Sequence, residues 1–205
     1  MKKLGWILPL IVIVFYSCSG GAGGGSGKKL LVISSGKFTV DAADNKKINW
    51  EPGGQHNEQE ITYSGDKVTV TVKGPDGEKT YDLTEDGSWL LNLKKDTVVG
   101  GIVKYGAGGR PGSISGEQLD RMIDSTQQLM LGQNTSDASK TYFIPPATVK
   151  KISSNTTAKL LSPYKYIPGE VEVDEKGNAP ETYKFFTNSQ KREELEDVLK
   201  RMGRK

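Results

Sequence analysis

The sequence predicts an α+β fold: a dominant antiparallel β-sheet laid out as a meander, with two helices near 116–131 and 189–202. Three observations predict it. Residues 67–73 alternate strictly and put Val68, Val70 and Val72 on one face. Two Asp-Gly turns, at Asp76-Gly77 and Asp86-Gly87, separate that run from a return strand at 79–83. They also separate it from a run at 88–94, where Trp89, Leu91 and Leu93 share a face. Two later stretches carry apolar residues at helical rather than strand spacing.

Upstream of the alternating run, 29–34, 37–41 and 46–50 are strand candidates, and 58–63 is another, closed by Ser64-Gly65-Asp66. Downstream, 96–105 predicts one more strand, interrupted by Gly100-Gly101. A Gly-rich loop, 106–116, leads to Ser115, which with Gln118 makes a capping box. Leu119, Met122, Ile123, Leu129 and Met130 form the apolar face of the first helix, and Gly132 stands where a helix C′ residue belongs. The Tyr-Phe-Ile-Pro-Pro stretch within 141–152 cannot be helical through its prolines. Residues 170–174 alternate again, with Val171 and Val173 inward, and 181–187 predicts a strand with Tyr183 and Phe185 on one side. Asn188 is the expected cap of the last helix. Glu193 and Glu194 lie early and Lys200 and Arg201 late, as the helix dipole favours, and Leu195, Val198, Leu199 and Met202 form its stripe. The chain thus divides into a β-rich stretch, 28–105, and a mixed stretch, 106–205; whether they share one core is open.

Composition sets limits on function. The chain has 205 residues, 28 Lys+Arg against 25 Asp+Glu, and 35% hydrophobic residues. That excludes a polytopic membrane protein, a coiled coil and a disulfide-stapled miniprotein. Residues 1–17 differ in kind from the rest: Lys2 and Lys3, then an apolar run from Leu4 to Tyr16, ending at Ser17-Cys18-Ser19-Gly20. As a helix the run spans about 20 Å, short of the roughly 30 Å hydrocarbon core, and fits a secretory signal. With Phe15 at −3, Tyr16 at −2 and Ser17 at −1 before Cys18, the segment resembles a relaxed lipobox of bacterial lipoproteins.

The resemblance covers only about the first 20 residues. It implies cleavage before Cys18, a diacylglyceryl thioether and a palmitate-type N-acyl chain on that cysteine, and anchoring in the lipid bilayer. The absence of Asp after the cysteine implies the outer membrane by the family's sorting rule, with the domain facing the periplasm. Residues 18–27 are the lipidated cysteine and a Gly/Ser tether. Cleavage would remove Lys2 and Lys3, leaving 26 basic against 25 acidic residues and a net charge of +1. Neither nucleic acid nor a polybasic lipid surface is an expected partner.

Chemistry-bearing residues are few. Cys18 is the only cysteine and His56 the only histidine. His56 lies in Pro52-Gly53-Gly54-Gln55-His56-Asn57, a loop-like setting, and no Gly-x-Ser-x-Gly elbow exists. His56, Glu58 and Glu60 would share one strand face and are the nearest approach to a metal set, although a solvated polar edge explains them as well. No metal, cofactor or catalytic residue is assigned. Thr97 in Asp96-Thr97-Val98 and Ser125 in Asp124-Ser125-Thr126 match a pattern resembling the O-glycosylation signal of Bacteroidota envelope proteins. Arg110 in the Gly-rich loop, and Tyr142, Phe143, Tyr164 and Tyr166 beside prolines, are candidate partner contacts.

The expected function is therefore a non-enzymatic envelope lipoprotein that binds or scaffolds an envelope protein. The alternatives are a lipid-anchored hydrolase built on His56 or carboxylates, and a small-ligand carrier.

Overall fold

The first two strands are long because each absorbs residues that read as turns. β1 runs Lys28–Val40 and β2 runs Lys47–Tyr63, paired antiparallel along their lengths in a computed structural model that describes residues 27–105 and 116–203. The strand candidates 29–34 and 37–41 are thus one strand, as are 46–50 and 58–63. Gly36 and the Pro52-Gly53-Gly54 segment do not end the strands, because they meet each other in a bulge.

β3 (Val68–Gly74) and β4 (Gly77–Leu83) form the expected hairpin. The second Asp-Gly turn closes no hairpin. β5 (Gly87–Leu93) leaves β4 and pairs parallel with β1, so the meander breaks there. β6 (Val98–Ile102) and α1 (Gly116–Met130) follow, then β7 (Thr141–Ile144), β8 (Thr148–Ser153) and β9 (Lys159–Leu161). β10 (Thr182–Thr187) and α2 (Asn188–Arg201) are the last elements among the described residues. Antiparallel pairings outnumber parallel ones, and the α+β class holds.

Two sheets result. The larger, ordered β4-β3-β2-β1-β5-β8, curls nearly into a barrel; the smaller is ordered β7-β6-β10-β9. β6 from the first half of the chain lies in the small sheet, and β8 from the second half lies in the large one. Residues alternate between two cores. Leu30, Val32, Trp89, Leu91 and Leu93 face the inside of the curl with Val68, Val70 and Val72. Leu31, Ile33 and Leu90 face the other way, against Tyr142, Ile144, Tyr183 and Phe185 of the small sheet. β5 is buried at every position, which explains its unbroken apolar run.

The glycines in β6 serve close packing. A Cβ on Gly100 would lie 2.2 Å from the Lys184 carbonyl of β10. The helices touch β6, β7 and β10 and each other, with Ile123 and Leu195 buried. Gly132 is in the left-handed region at φ +72°, as a C′ glycine should be. α2 begins one residue earlier than expected: Thr187, not Asn188, is its N-cap, in a capping box with Gln190.

Residues 170–174 form no strand. Val171 is buried but Val173 is exposed, and the Asp174 carboxylate instead accepts from the Lys176 and Asn178 backbone N–H groups in a tight turn. Alternation alone does not make a strand when no neighbouring edge supplies hydrogen bonds. Among the described residues no helix is long and apolar enough to cross a membrane. Cys18, Arg110 and the expected Ser115 cap lie outside the described residues.

Candidate functional site

The β1–β2 bulge builds the site. Ser35 pairs with His56 while the next residue, Gly36, pairs with Pro52, so Gly53, Gly54 and Gln55 are looped out. Gly36 has φ +99°, and a Cβ there would lie 2.1 Å from the Glu51 carbonyl oxygen. The bulge re-aims the side chains that follow it. His56 and Glu58, two residues apart, turn to one face, and His56 Nε2 lies 2.9 Å from Glu58 Oε2.

Three lysines from distant parts of the chain complete the cluster. Lys94, just beyond β5, places Nζ 3.2 Å from His56 Nδ1 and 3.4 Å from the Ser34 carbonyl. Lys165 Nζ lies 2.6 Å from Glu58 Oε1. Lys184 of β10 donates to the carbonyls of Ser162 at 2.6 Å, Pro163 at 3.1 Å and Lys165 at 2.6 Å. Those carbonyls belong to a strap, residues 162–167, which follows β9. The strap lays the Tyr164 ring against His56, with centroids 4.4 Å apart and planes at 50°. Lys94 Nζ is 5.3 Å from the same ring centroid. Tyr166 stands outside, 94% exposed, with Tyr164 and Ile167 also exposed.

The proton positions follow from the donors. A lysine ammonium only donates, so His56 Nδ1 accepts from Lys94, and Nε2 carries the hydrogen that goes to Glu58. His56 is thereby neutral with both ring nitrogens engaged. Burial lowers its pKa below 6.5, as do the charges of Lys94 and Lys165, against the opposing pull of Glu58. For Glu58 burial pushes upward, but hydrogen bonding from Lys165, with help from His56, wins and holds the carboxyl at about 2. Ser162 Oγ is buried with no hydrogen-bond partner among the described residues. Lys94 is pushed below its ordinary value by burial, opposed by Asp96 and Glu58. Burial, with the charge of Lys191, likewise lowers Lys184 to about 8. Three acceptors for its three N–H groups still keep it charged at neutral pH.

A second polar cluster lies between the sheets. The Glu181 carboxylate accepts from Lys140 at 2.8 Å, Tyr183 at 2.6 Å and Ser153 at 2.8 Å. It edges a cleft of about 490 Å³. Lys140 holds φ +52°, unusual for a lysine. A smaller, mostly apolar pocket of about 180 Å³ opens at the mouth of the curled sheet beside Trp50, Val72, Tyr81 and Leu93. That is close to the size of a cavity that holds benzene, and too small for a lipid tail.

The expected sites fare differently. His56 and Glu58 come together, but Glu60 points away to Lys29 at 3.5 Å. With both imidazole nitrogens used, the three do not form a metal set, and no group of three or more metal-ligating side chains occurs among the described residues. Tyr142 is a core residue, 3% exposed, with its hydroxyl donated to the Ile152 carbonyl; it offers no contact surface. Phe143 is half-buried, whereas Tyr164 and Tyr166 are exposed.

Thr97 is half-buried between β5 and β6, and its carbonyl accepts from Asn188. Ser125 is exposed on α1 and donates to the Arg121 carbonyl. Lys94, Lys165 and Lys184 were missed. Lys184 had a signal, a lone lysine between Tyr183 and Phe185 of an otherwise buried strand; Lys165 had none. Comparison with family models, with curated proteins and with solved structures finds no match to this chain.

Proposed function

We propose that this chain is an outer-membrane-anchored lipoprotein that binds or scaffolds another envelope protein without catalysing a reaction, its domain facing the periplasm. The N-terminal signal run, Cys18 and the Gly/Ser tether support the anchoring. The observation that carries the binding role is the strap: an exposed Tyr164–Tyr166–Ile167 surface whose backbone is held by the Lys184 ammonium. Exposed aromatic side chains on a fixed backbone lose little entropy on binding, which is what an interface anchor needs. Against the hydrolase reading, His56 has no free nitrogen to act as a base, since Lys94 occupies one and Glu58 the other.

The test is recovery of C-terminally tagged protein from gently solubilised membranes, beside Cys18→Ala and a Tyr164→Ala/Tyr166→Ala pair, with acyl labelling. Wild type should carry the acyl label and a stoichiometric envelope protein. Cys18→Ala should lose the label, and the tyrosine pair should keep the label but lose the protein. An unlabelled wild type, or a hydrolytic activity abolished by His56→Gln, would overturn the reading.

A further inference from the structure

We infer that the pocket at the mouth of the curled sheet binds a small aromatic carboxylate, its ring against Trp50 and Tyr81 and its carboxylate at Lys79 and Lys95. The site is separate from the strap, so this ligand adds to the protein-binding role proposed above and does not rest on it. Two turns wall the pocket: Pro75-Asp76 of the β3–β4 hairpin, and the Pro146-Ala147 end of the β7–β8 connection. Gly74 lets the hairpin close over the indole, since a Cβ there would lie 3.1 Å from Trp50 Cε3. Ala147 holds φ +52°, a left-handed conformation rare for a residue with a Cβ, and its N–H is tied to the Asn92 carbonyl at 2.8 Å. Such conformations persist only where the surroundings hold them, and they cluster at ligand sites.

The polar handles of both aromatic walls are already used. Trp50 Nε1 donates to the Ser35 carbonyl at 3.1 Å, and the Tyr81 hydroxyl donates to the Ala147 carbonyl at 3.4 Å. What remains for a guest is ring surface, together with the buried side chains of Val72 and Leu93. The volume of about 180 Å³ admits one ring, since about 150 Å³ suffices for benzene.

The rim selects the charge. Lys79 and Lys95 line the pocket, both are exposed, and neither has an ion-pair partner among the described residues. Asp76 is the single carboxylate among the described lining residues. Lys94 contributes its stem, because its Nζ is turned to His56 and Ser34. An anion therefore meets two ammonium groups that gain a partner, against one carboxylate that repels it; a cation meets the reverse. A ring carrying a short acidic arm satisfies floor and rim together.

The probe is phenylacetate, titrated at neutral pH into the full-length protein in uncharged detergent, with detergent alone as the blank. The chain has three tryptophans, and the indole N–H signals of two are identified by their loss in Trp50→Phe and Trp89→Phe. The Trp50 signal should shift saturably, with one site per chain. The Trp89 signal should stay still, because that N–H donates to the Glu85 carbonyl and Trp89 does not line the pocket. Benzyl alcohol, the same ring without the charge, should bind about fivefold more weakly, and phenethylamine more weakly still. In Lys79→Gln/Lys95→Gln, two exposed changes that leave the core untouched, the acid should fall to the affinity of the alcohol. A Trp50 signal that shows no saturable shift with phenylacetate overturns the inference. So does an amine that binds as tightly as the acid, or a preference for the acid that survives the loss of both lysines.

Discussion

Lys184 and Lys94 are equally buried, at 6% exposure, and lie at the two sides of one strap, yet they do opposite things. Lys184 gives its three protons to three carbonyls at 2.6–3.1 Å, acceptors that do not titrate. Lys94 leans on an imidazole at 3.2 Å, an acceptor that disappears when it is protonated, and on a carbonyl at 3.4 Å. The same ammonium is thus a fixed pin in one place and a conditional latch in the other. A buried cation stabilises only as far as its acceptors are complete, so its worth is set by its neighbours rather than by its depth.

The comparison breaks most directly at Lys184→Met. That change orphans three carbonyls inside the protein and should lower stability by about 3 kcal/mol, read as a drop in the urea midpoint at pH 7. Glu58→Gln should cost less, about 1–2 kcal/mol, because Lys165 is half in water and retains solvation.

The pH dependence of stability comes next. The folded state holds His56 below 6.5, so it binds fewer protons than the unfolded chain there. Stability from this group is complete above 6.5 and declines as the pH falls below it. A second decline, from Glu58, should begin near 4.5 and run toward 2. Urea midpoints measured from pH 8 to 3 should show both declines in the wild type, only the lower one in His56→Gln, and a lower decline reduced but not abolished in Glu58→Gln, since Glu181 is also held below its usual value.

The smallest effect should be Lys94→Met, within about 1 kcal/mol of wild type at pH 7, since a poorly satisfied buried charge is exchanged for an apolar chain of similar length. A loss as large as that of Lys184→Met would abolish the distinction between pin and latch.

Much of the scaffold was legible from residue patterns. The Val68-Val70-Val72 alternation, the β3–β4 hairpin, both helices and the Tyr183–Phe185 face depend on local periodicity, which a single sequence displays. What was hidden depends on partners. Gly36 and Gly53-Gly54 read as breaks because each alone favours a turn, yet opposite one another they make a bulge inside a continuous ladder. Residues 170–174 have the period of a strand but no edge beside them.

The site divides in the same way. His56 and Glu58 meet because they stand two positions apart on one strand, which spacing reveals. Glu60 has the same spacing and still goes elsewhere, drawn to Lys29. Lys94, Lys165 and Lys184 arrive through sheet order and strap path, which no local pattern encodes.

The double burial of β1 and β5 also governs how the chain can assemble. Leu31, Ile33 and Leu90 are covered by residues such as Tyr142, Tyr183 and Phe185, which lie far later in the sequence. A ribosome delivers the Leu-Leu-Val-Ile segment long before anything exists to cover its second face. Closing these distant contacts before any reward is gained makes folding slow and leaves a sticky strand waiting. The N-terminal β-rich stretch therefore completes its second core only once Tyr142, Tyr183 and Phe185 have been synthesised.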